Sequence, residues 1–157
     1  MSRAPFQVLI IPYRMTESGV PEFAVTKRTD SGVWQFLSGG GEEGETPLQA
    51  ARREAQEEGG IPGGAPLMAL QSQASIPVEH FAVSKEWGTG TYVIPEYAFA
   101  VEVRQVVSLS SEHRGMAWLR YEEAVERLRW DSNRTALWEL TQRLATDTRG
   151  KRGEGRR

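Results

Sequence analysis

The sequence predicts a mixed α/β domain in which helices pack on a β-sheet. Apolar, β-branched or alternating stretches, typical of strands, occur before and after the middle of the chain. Between them lies a segment with a complete set of helix start and stop signals. A second apolar stripe at helical spacing lies near the C-terminus. The resulting order of strands, helix, strands and helix favours this fold class.

The N-terminal part of the chain predicts three strands. Phe6–Tyr13 is apolar and branched, and Glu22–Arg28 alternates in polarity, so the two form a predicted hairpin. Thr29–Gly32 is a predicted turn, and Val33–Leu37 is a predicted short strand. The glycines at positions 39, 40, 41 and 44 then indicate a tight loop.

The segment after the glycines predicts the clearest helix. Thr46 is the expected N-cap, Pro47 occupies the first helical position, and Gln49 completes a capping box. Gly59 and Gly60 are expected to end the helix. Its apolar stripe is predicted to consist of Leu48, Ala51 and Ala55.

The second half of the chain predicts further strands, a loop and two helices. The loop is Glu86–Gly90. The helices are Tyr121–Arg129 and a segment from Asp131 or Ser132 to about Ala145. The apolar stripe of the last helix predicts core packing for Leu137, Leu140 and Leu144, with Trp138 beside them. The predicted strands are Leu67–Ser75, Val78–Ser84, Tyr92–Val103 and Met116–Leu119.

Length and composition limit the class of protein. The 157 residues fit one domain, which we place at residues 1–146. The absence of cysteine excludes disulfides, thiolate metal sites and a cysteine nucleophile. The apolar run Val8–Ile11 is too short for a signal peptide or a membrane span. We therefore expect a cytoplasmic protein without a membrane partner.

The charge of the chain is unevenly distributed. The net charge is −2, but residues 147–157 carry +3, which leaves −5 on the rest. A mildly acidic body argues against a protein that binds nucleic acid by neutralising phosphates. We interpret residues 147–157 as a basic, flexible C-terminal tail.

Three glutamates indicate the chemistry. Glu54, Glu57 and Glu58 are spaced i, i+3 and i+4, so the predicted helix presents all three carboxylates on one face. Like charges at this spacing destabilise a helix unless a cation lies among them, and a hard divalent ion prefers oxygen ligands. A solvated acidic face is the alternative. The preceding glycine loop and the capped helix start favour a defined loop–helix unit instead.

The spacing of this unit resembles the Nudix box. Ala55 is a departure, because the family usually has a larger aliphatic residue there. The resemblance covers about residues 5–146 and implies a Nudix-type α/β/α sandwich with a mixed β-sheet. The matching positions are Gly39, Glu45, Arg53, Glu54, Glu57, Glu58, Gly60 and Ile61.

The resemblance implies a magnesium-dependent hydrolase, with Mn²⁺ as a substitute ion. In such enzymes the metal orients the phosphates and lowers the pKa of a bound water. Glu45 and Arg53 are implied to brace the loop against the helix, with Gly39 and Gly60 as structural positions of the box. The implied metal ligands are Glu54, Glu57, Glu58 and the backbone carbonyl at Ser38.

The general base has two candidates in the resemblance. A glutamate in a late loop commonly acts as base or as an extra ligand, and Glu112 is the candidate at that position. Glu57 is its rival. A plain surface acid is the alternative interpretation of Glu112.

Residues outside the box resemble the dihydroneopterin triphosphate pyrophosphatase branch. That branch implies release of pyrophosphate from dihydroneopterin triphosphate, dATP or another nucleoside triphosphate. Arg28 is a candidate for binding phosphate, and Trp34 and Trp87 are candidates for stacking on a flat heterocycle. An exposed arginine and core packing are the respective alternatives. The similar stretches are 34–35, 112–113 with 118–119, and 130–134.

Several other functions stay open at this point. A Nudix hydrolase could act on dinucleoside polyphosphates, ADP-ribose or oxidised nucleotides. A Nudix domain without catalysis could sense nucleotides, although such domains usually have a broken box. A nucleic-acid module using the basic tail would show salt-sensitive binding. Many relatives are dimers, so a homodimer is a further expectation.

Overall fold

The computed structural model describes residues 2–104 and 113–154. The strands of this part form one mixed sheet. They are β1 (Arg3–Met15), β2 (Pro21–Arg28), β3 (Trp34–Gln35), β4 (Leu37–Glu42), β5 (Leu67–Pro77), β6 (Val93–Glu102) and β7 (His113–Leu119). The helices are α1 (Pro47–Gly59), α2 (Tyr121–Arg127) and α3 (Asp131–Glu154).

Strand β1 is central to the sheet. The order along the sheet is β3-β2-β1-β6-β5, with β4 also paired to β1 and β7 to β2. The pairing of β1 with β2 and β4 is antiparallel, whereas the pairing with β6 is parallel and places Gln7 opposite Glu96. The predicted mixed sheet is therefore confirmed.

Alternating residues of β1 separate two hydrophobic cores. Leu9 and Ile11 belong to the core that includes buried residues of α2 and α3, whereas Val8 and Ile10 belong to the core shared with α1. Because successive side chains of a strand point to opposite faces, helices cover both faces of the sheet. This is the α/β/α layering that the resemblance implied.

Helix α1 begins and ends as predicted. The Thr46 hydroxyl accepts a hydrogen bond from the Gln49 N–H at 3.2 Å, and the Gln49 side chain accepts one from the Thr46 N–H at 2.9 Å. Gly60 caps the C-terminus with a left-handed φ of 64°. One detail is wrong: Leu48 is exposed, and Ala50 packs in the core instead.

The predicted glycine loop is mostly a strand. Gly39 and Gly40 lie in β4, opposite Val8 and Gln7 of β1. A side chain at Gly39 would overlap the Glu54 carboxylate. The glycines therefore allow side chains of neighbouring elements to lie directly on the backbone of β4. Pairing with β1 provides hydrogen-bond partners for the N–H and C=O groups of that backbone.

The predicted strand Val78–Ser84 is wrong. Short 3₁₀ helices occupy Val78–His80 and Ser84–Trp87. The Phe81 and Trp87 rings meet edge to face at 5.7 Å, and the Trp87 Nε1 donates to the Arg3 carbonyl at 2.9 Å. These contacts fold the segment back onto the start of β1, so it does not extend the sheet. The predicted loop from Glu86 thus begins inside the second 3₁₀ helix.

Helix α3 is longer than predicted. Its backbone continues past Ala145 to Glu154, so it includes most of the segment interpreted as a tail. Leu137 and Leu140 are buried as predicted, whereas Trp138 is exposed. The domain boundary at residue 146 stays a prediction. None of the helices in the described ranges is long and apolar enough to cross a membrane.

Candidate active site

The glutamates of α1 line a large cavity. Its volume of about 1260 Å³ is sufficient for a nucleotide-sized ligand. Strands β1, β4, β5 and β6 contribute to its lining, together with the first residues of α3. The box residues in the lining are Ser38, Gly39, Glu54, Glu57 and Glu58.

The Arg53 guanidinium joins helix α1 to the preceding segment. It donates to both carboxylate oxygens of Glu45, at 2.8 and 2.9 Å, and to the Gly40 carbonyl at 2.8 Å. It also donates to Glu54 at 2.9 Å and to Glu57 at 3.3 Å. The ion pair expected between Arg53 and Glu45 is present. We name these contacts the Arg53 brace.

The charges of the brace stabilise one another. Hydrogen bonds from Arg53 lower the pKa of Glu45 below its ordinary value, against the opposing effect of burial. The Glu45 carboxylate in turn raises the pKa of Arg53. Glu45 also accepts a hydrogen bond from the Glu42 N–H at 2.8 Å. Both groups are therefore charged at neutral pH.

Glu54 has an unusual environment for a carboxyl group. It is only 8% exposed, and burial raises its pKa to about 7, with a smaller contribution from the negative charges of Glu58 and Glu57. Arg53 opposes this shift without cancelling it. A nearby cation would stabilise the ionised form. The carboxylate and carbonyl oxygens of this region suit a hard divalent ion.

The glutamates are not gathered around one point. Within residues 2–104 and 113–154, no group of three acidic or histidine side chains lies close enough together to hold a metal ion. Glu58 is buried, whereas the side chain of Glu57 is 58% exposed. The helix brings the three residues to one cavity, as their spacing predicted.

Arg28 also lines the cavity. Its Nε and Nη2 atoms donate to the two carboxylate oxygens of Asp30 at 3.0 and 2.9 Å. The hydrogen bond from Arg28 is the main cause that lowers the pKa of Asp30. Glu112, the candidate base, lies outside the described residues.

The two tryptophans predicted to stack on a substrate do not line the cavity. Trp34 packs against the core, with Arg127 at 5.1 Å and Lys27 at 5.8 Å from its ring. Trp87 packs against Phe81 and lies 5.6 Å from the Arg3 guanidinium. Both rings have protein neighbours, so the alternative of structural packing fits them better.

A different tryptophan reaches the cavity. Trp130 is 43% exposed, and its Nε1 donates to the Gln35 side chain at 3.1 Å. Gln35 donates in turn to the Ser38 hydroxyl at 3.2 Å. The Phe36 N–H donates to the Asn133 side chain at 2.9 Å. We name the Trp130–Gln35 and Asn133–Phe36 hydrogen bonds the α3 ties, because they join the residues at the start of α3 to the β3–β4 segment.

Glu96 is the second residue that the sequence analysis missed. It lies in β6, lines the cavity and is 8% exposed. Burial raises its pKa, and a hydrogen bond from Ser132 partly opposes this shift. A single acid inside an otherwise apolar strand was the available signal, since acids are rarely buried without a partner. For Trp130 the signal was its place in the 130–134 stretch.

Comparisons with known proteins agree with this geometry. The model of the NUDIX domain family matches residues 7–139. A Listeria monocytogenes structure assigned as a NUDIX hydrolase is 44% identical, with a TM-score of 0.82 over 92% of this chain and 97% of that one. Dihydroneopterin triphosphate diphosphatase of Escherichia coli is 30% identical over 140 residues, which cover 86% of this chain and 91% of the relative.

A further relative is similar over a shorter part of its length. An octanoyltransferase from Myxococcus xanthus is 34% identical over 112 residues. These residues are 70% of this chain but only 29% of that protein. The chain therefore spans less than a third of this relative.

Proposed function

The chain belongs to the Nudix family of hydrolases, and from this premise we propose that it is a magnesium-dependent pyrophosphohydrolase. The proposed reaction cleaves a nucleoside triphosphate-like substrate, either dihydroneopterin triphosphate or dATP and related nucleotides, to a monophosphate and pyrophosphate. Nudix hydrolases generally use divalent metals such as Mg²⁺, and Mn²⁺ is the expected substitute here.

One observation carries the proposal: Glu54, Glu57 and Glu58 share a helix face that lines a nucleotide-sized cavity. We propose that these carboxylates and the Ser38 carbonyl hold the metal. The buried Glu54 supports this assignment, because burial raises its pKa and a bound cation would favour the ionised carboxylate. When bound, magnesium supplies Lewis-acid activation of the phosphate and of the attacking water.

Other residues of the site would hold α1 in place, accept a proton from the attacking water and bind the substrate phosphates. The Arg53 brace holds α1 at a fixed place relative to β4. Glu57 is a candidate base because its carboxylate is exposed within the cavity lining, and Glu112 stays a candidate from the sequence. Arg28 is a candidate for binding phosphate, and an incoming phosphate would share its guanidinium with Asp30.

The choice of substrate rests on the relative that is 30% identical and bears the name dihydroneopterin triphosphate diphosphatase. Trp130 replaces Trp34 and Trp87 as the proposed stacking residue, because it alone of the three lines the cavity. We further propose a cytoplasmic enzyme that binds small molecules and has neither membrane nor nucleic-acid partners. A homodimer stays an expectation from the family.

The test is pyrophosphate and phosphate release from a panel of substrates, with Mg²⁺, with Mn²⁺ and with a chelator. The panel contains dihydroneopterin triphosphate, the deoxynucleoside triphosphates, ADP-ribose and diadenosine polyphosphates. We expect metal-dependent pyrophosphate release from the triphosphates, and none with the chelator. Faster turnover of ADP-ribose or a diadenosine polyphosphate would favour the alternative substrates, whereas no turnover at all would favour a sensing domain.

A further inference from the structure

Glu96 is a buried acid that the proposed hydrolysis does not use. It lies in β6, whereas the glutamates of the box lie on α1. It lines the same cavity as those glutamates. Its hydrogen-bond partner is Ser132, which lies at the start of α3 and outside the Arg53 brace. Its environment therefore differs from that of the proposed metal ligands.

A chain of hydrogen bonds fixes the Ser132 hydroxyl. The Phe36 N–H donates to the side-chain Oδ1 of Asn133 at 2.9 Å, and the side-chain Nδ2 of Asn133 donates to the Ser132 Oγ at 3.2 Å. Because Ser132 accepts from Asn133, its own hydrogen is available for Glu96. Burial raises the pKa of Glu96, and the Ser132 hydroxyl opposes this shift because it donates to the carboxyl group. Two further N–H donors from a ligand would favour the ionised carboxylate in the same way.

A flat side chain lines the same cavity as Glu96. Trp130 lines the cavity and is held by its hydrogen bond to Gln35 at 3.1 Å. An indole fixed in this way offers a face on which a heterocycle can stack. A carboxylate has about four acceptor positions, and Ser132 uses one of them. Glu96 therefore has capacity for two parallel N–H donors from a ligand.

We propose that Glu96 determines which heterocycle the enzyme accepts, by receiving the paired N–H and NH₂ donors of a 2-amino-4-oxopyrimidine ring. This inference rests on the proposed function, because it concerns the substrate of the same site. Guanine and pterin rings present this pair of donors, whereas adenine presents one donor beside one acceptor. A carboxylate receiving two parallel donors forms a strong, directional pair. Adenine would leave one carboxylate oxygen facing a ring nitrogen lone pair.

The decisive variant is Glu96→Gln. A glutamine has the size of glutamate but offers one acceptor and one NH₂ donor, so it matches the adenine edge better than the guanine edge. We expect kcat/KM for dGTP and dihydroneopterin triphosphate to fall on the order of 10- to 100-fold, as for a lost bidentate base contact. For dATP we expect it to stay the same or to rise.

Methyl triphosphate separates the inference from the proposed function. It has no heterocycle, so its slow hydrolysis reports only on the phosphate and metal machinery. We expect equal rates for the wild type and Glu96→Gln. If the wild type hydrolyses no triphosphate at all, the proposed function fails first. If it hydrolyses them and Glu96→Gln leaves the ratio of dGTP to dATP unchanged, only the inference is wrong.

Glu102→Gln is the matched control. Glu102 is an exposed acid at the end of the same strand, so this variant removes the same charge without altering the cavity lining. We expect it to retain the wild-type ratio. Equal losses for dGTP, dATP and methyl triphosphate in Glu96→Gln would indicate a purely structural residue and overturn the proposal. Binding of dGMP and dAMP, measured by calorimetry, gives a second readout and should show the same reversal.

Discussion

The Arg53 brace and the α3 ties both hold residues of the cavity, but they join parts of the chain at different separations. Arg53 reaches Glu45 and Gly40, which precede it closely in the sequence. Asn133 contacts Phe36, and Trp130 contacts Gln35. The two partners are separated along the sequence by 97 and 95 residues, respectively. One region is therefore a local unit, and the other exists only when distant segments have met.

This difference separates two tasks of the site. The local unit contains the proposed metal ligands, and its short loops cost little entropy to close. The α3 ties hold the residues proposed to contact the heterocycle, Trp130 and Glu96, which we name the heterocycle wall. The geometry of this wall depends on how α3 packs against the sheet. Substitutions in the first region should therefore affect all triphosphates equally. Substitutions in the second should affect substrates differently or act through stability.

The largest effect is expected from Glu58→Gln, which replaces an anionic proposed ligand by a neutral side chain of equal size. We expect kcat to fall on the order of 10²-fold or more for every triphosphate. Thermal unfolding should remain near that of the wild type. Glu43→Gln, an exposed acid outside the cavity lining, is the control. Activity that survives Glu58→Gln nearly untouched would contradict the metal assignment.

A smaller effect is expected from Arg53→Lys. An ammonium cannot reproduce the planar fork that binds both oxygens of Glu45 and also reaches Gly40 and Glu54. We expect a loss of about 1–3 kcal/mol in the free energy of unfolding, measured with urea, and a lower kcat. Arg52→Lys, on the exposed side of the same helix, should change neither. Equal effects of the two substitutions would contradict the brace.

The smallest effect is expected from Glu139→Gln, at another long-range contact of α3. Glu139 accepts hydrogen bonds from the Gln71 N–H, from the Ser72 N–H and hydroxyl, and from Arg143. Burial alone would raise its pKa, but these hydrogen bonds lower it to about 2. At pH 7 we expect the variant to lose about 0.5–1.5 kcal/mol of unfolding free energy.

The pH dependence of this loss follows from the direction of the pKa shift. A carboxyl group whose pKa is lower in the folded state stabilises the protein above its ordinary pKa of 4.5. This stabilisation disappears as the pH falls from 4.5 towards 2. Urea unfolding at pH 7 and pH 3 should therefore show a smaller difference between wild type and Glu139→Gln at the lower pH. The exposed Glu123→Gln should show no such trend.

The arrangement of the local unit could be predicted from the sequence, whereas that of the heterocycle wall could not. Helix periodicity places Glu54, Glu57 and Glu58 on one face without knowledge of the remaining chain. The capping box of α1 is local for the same reason. No local rule places Glu96 beside Ser132, because this contact depends on the parallel pairing of β6 with β1 and on the docking of α3.

The wrong predictions have the same physical origin. Val78, Phe81 and Val83 are residues typical of strands, but the contacts of Phe81 and Trp87 hold the segment against the start of β1. The glycines after Ser38 satisfied the composition of a loop, but β1 supplied hydrogen bonds for a strand. Trp34 was a candidate for stacking on a heterocycle, with core packing as the alternative, and its ring packs against the core with two cations nearby.

The central position of β1 bears on biosynthesis. On the ribosome, β1 emerges with β2 and β4 long before its other neighbour, β6, has been translated. Until then one edge of β1, with the apolar run Val8–Ile11, has unpaired N–H and C=O groups that can recruit a strand from another nascent chain. Release of the chain before β6 should therefore yield an insoluble fragment, and chaperones that cover this edge should raise the yield of folded protein.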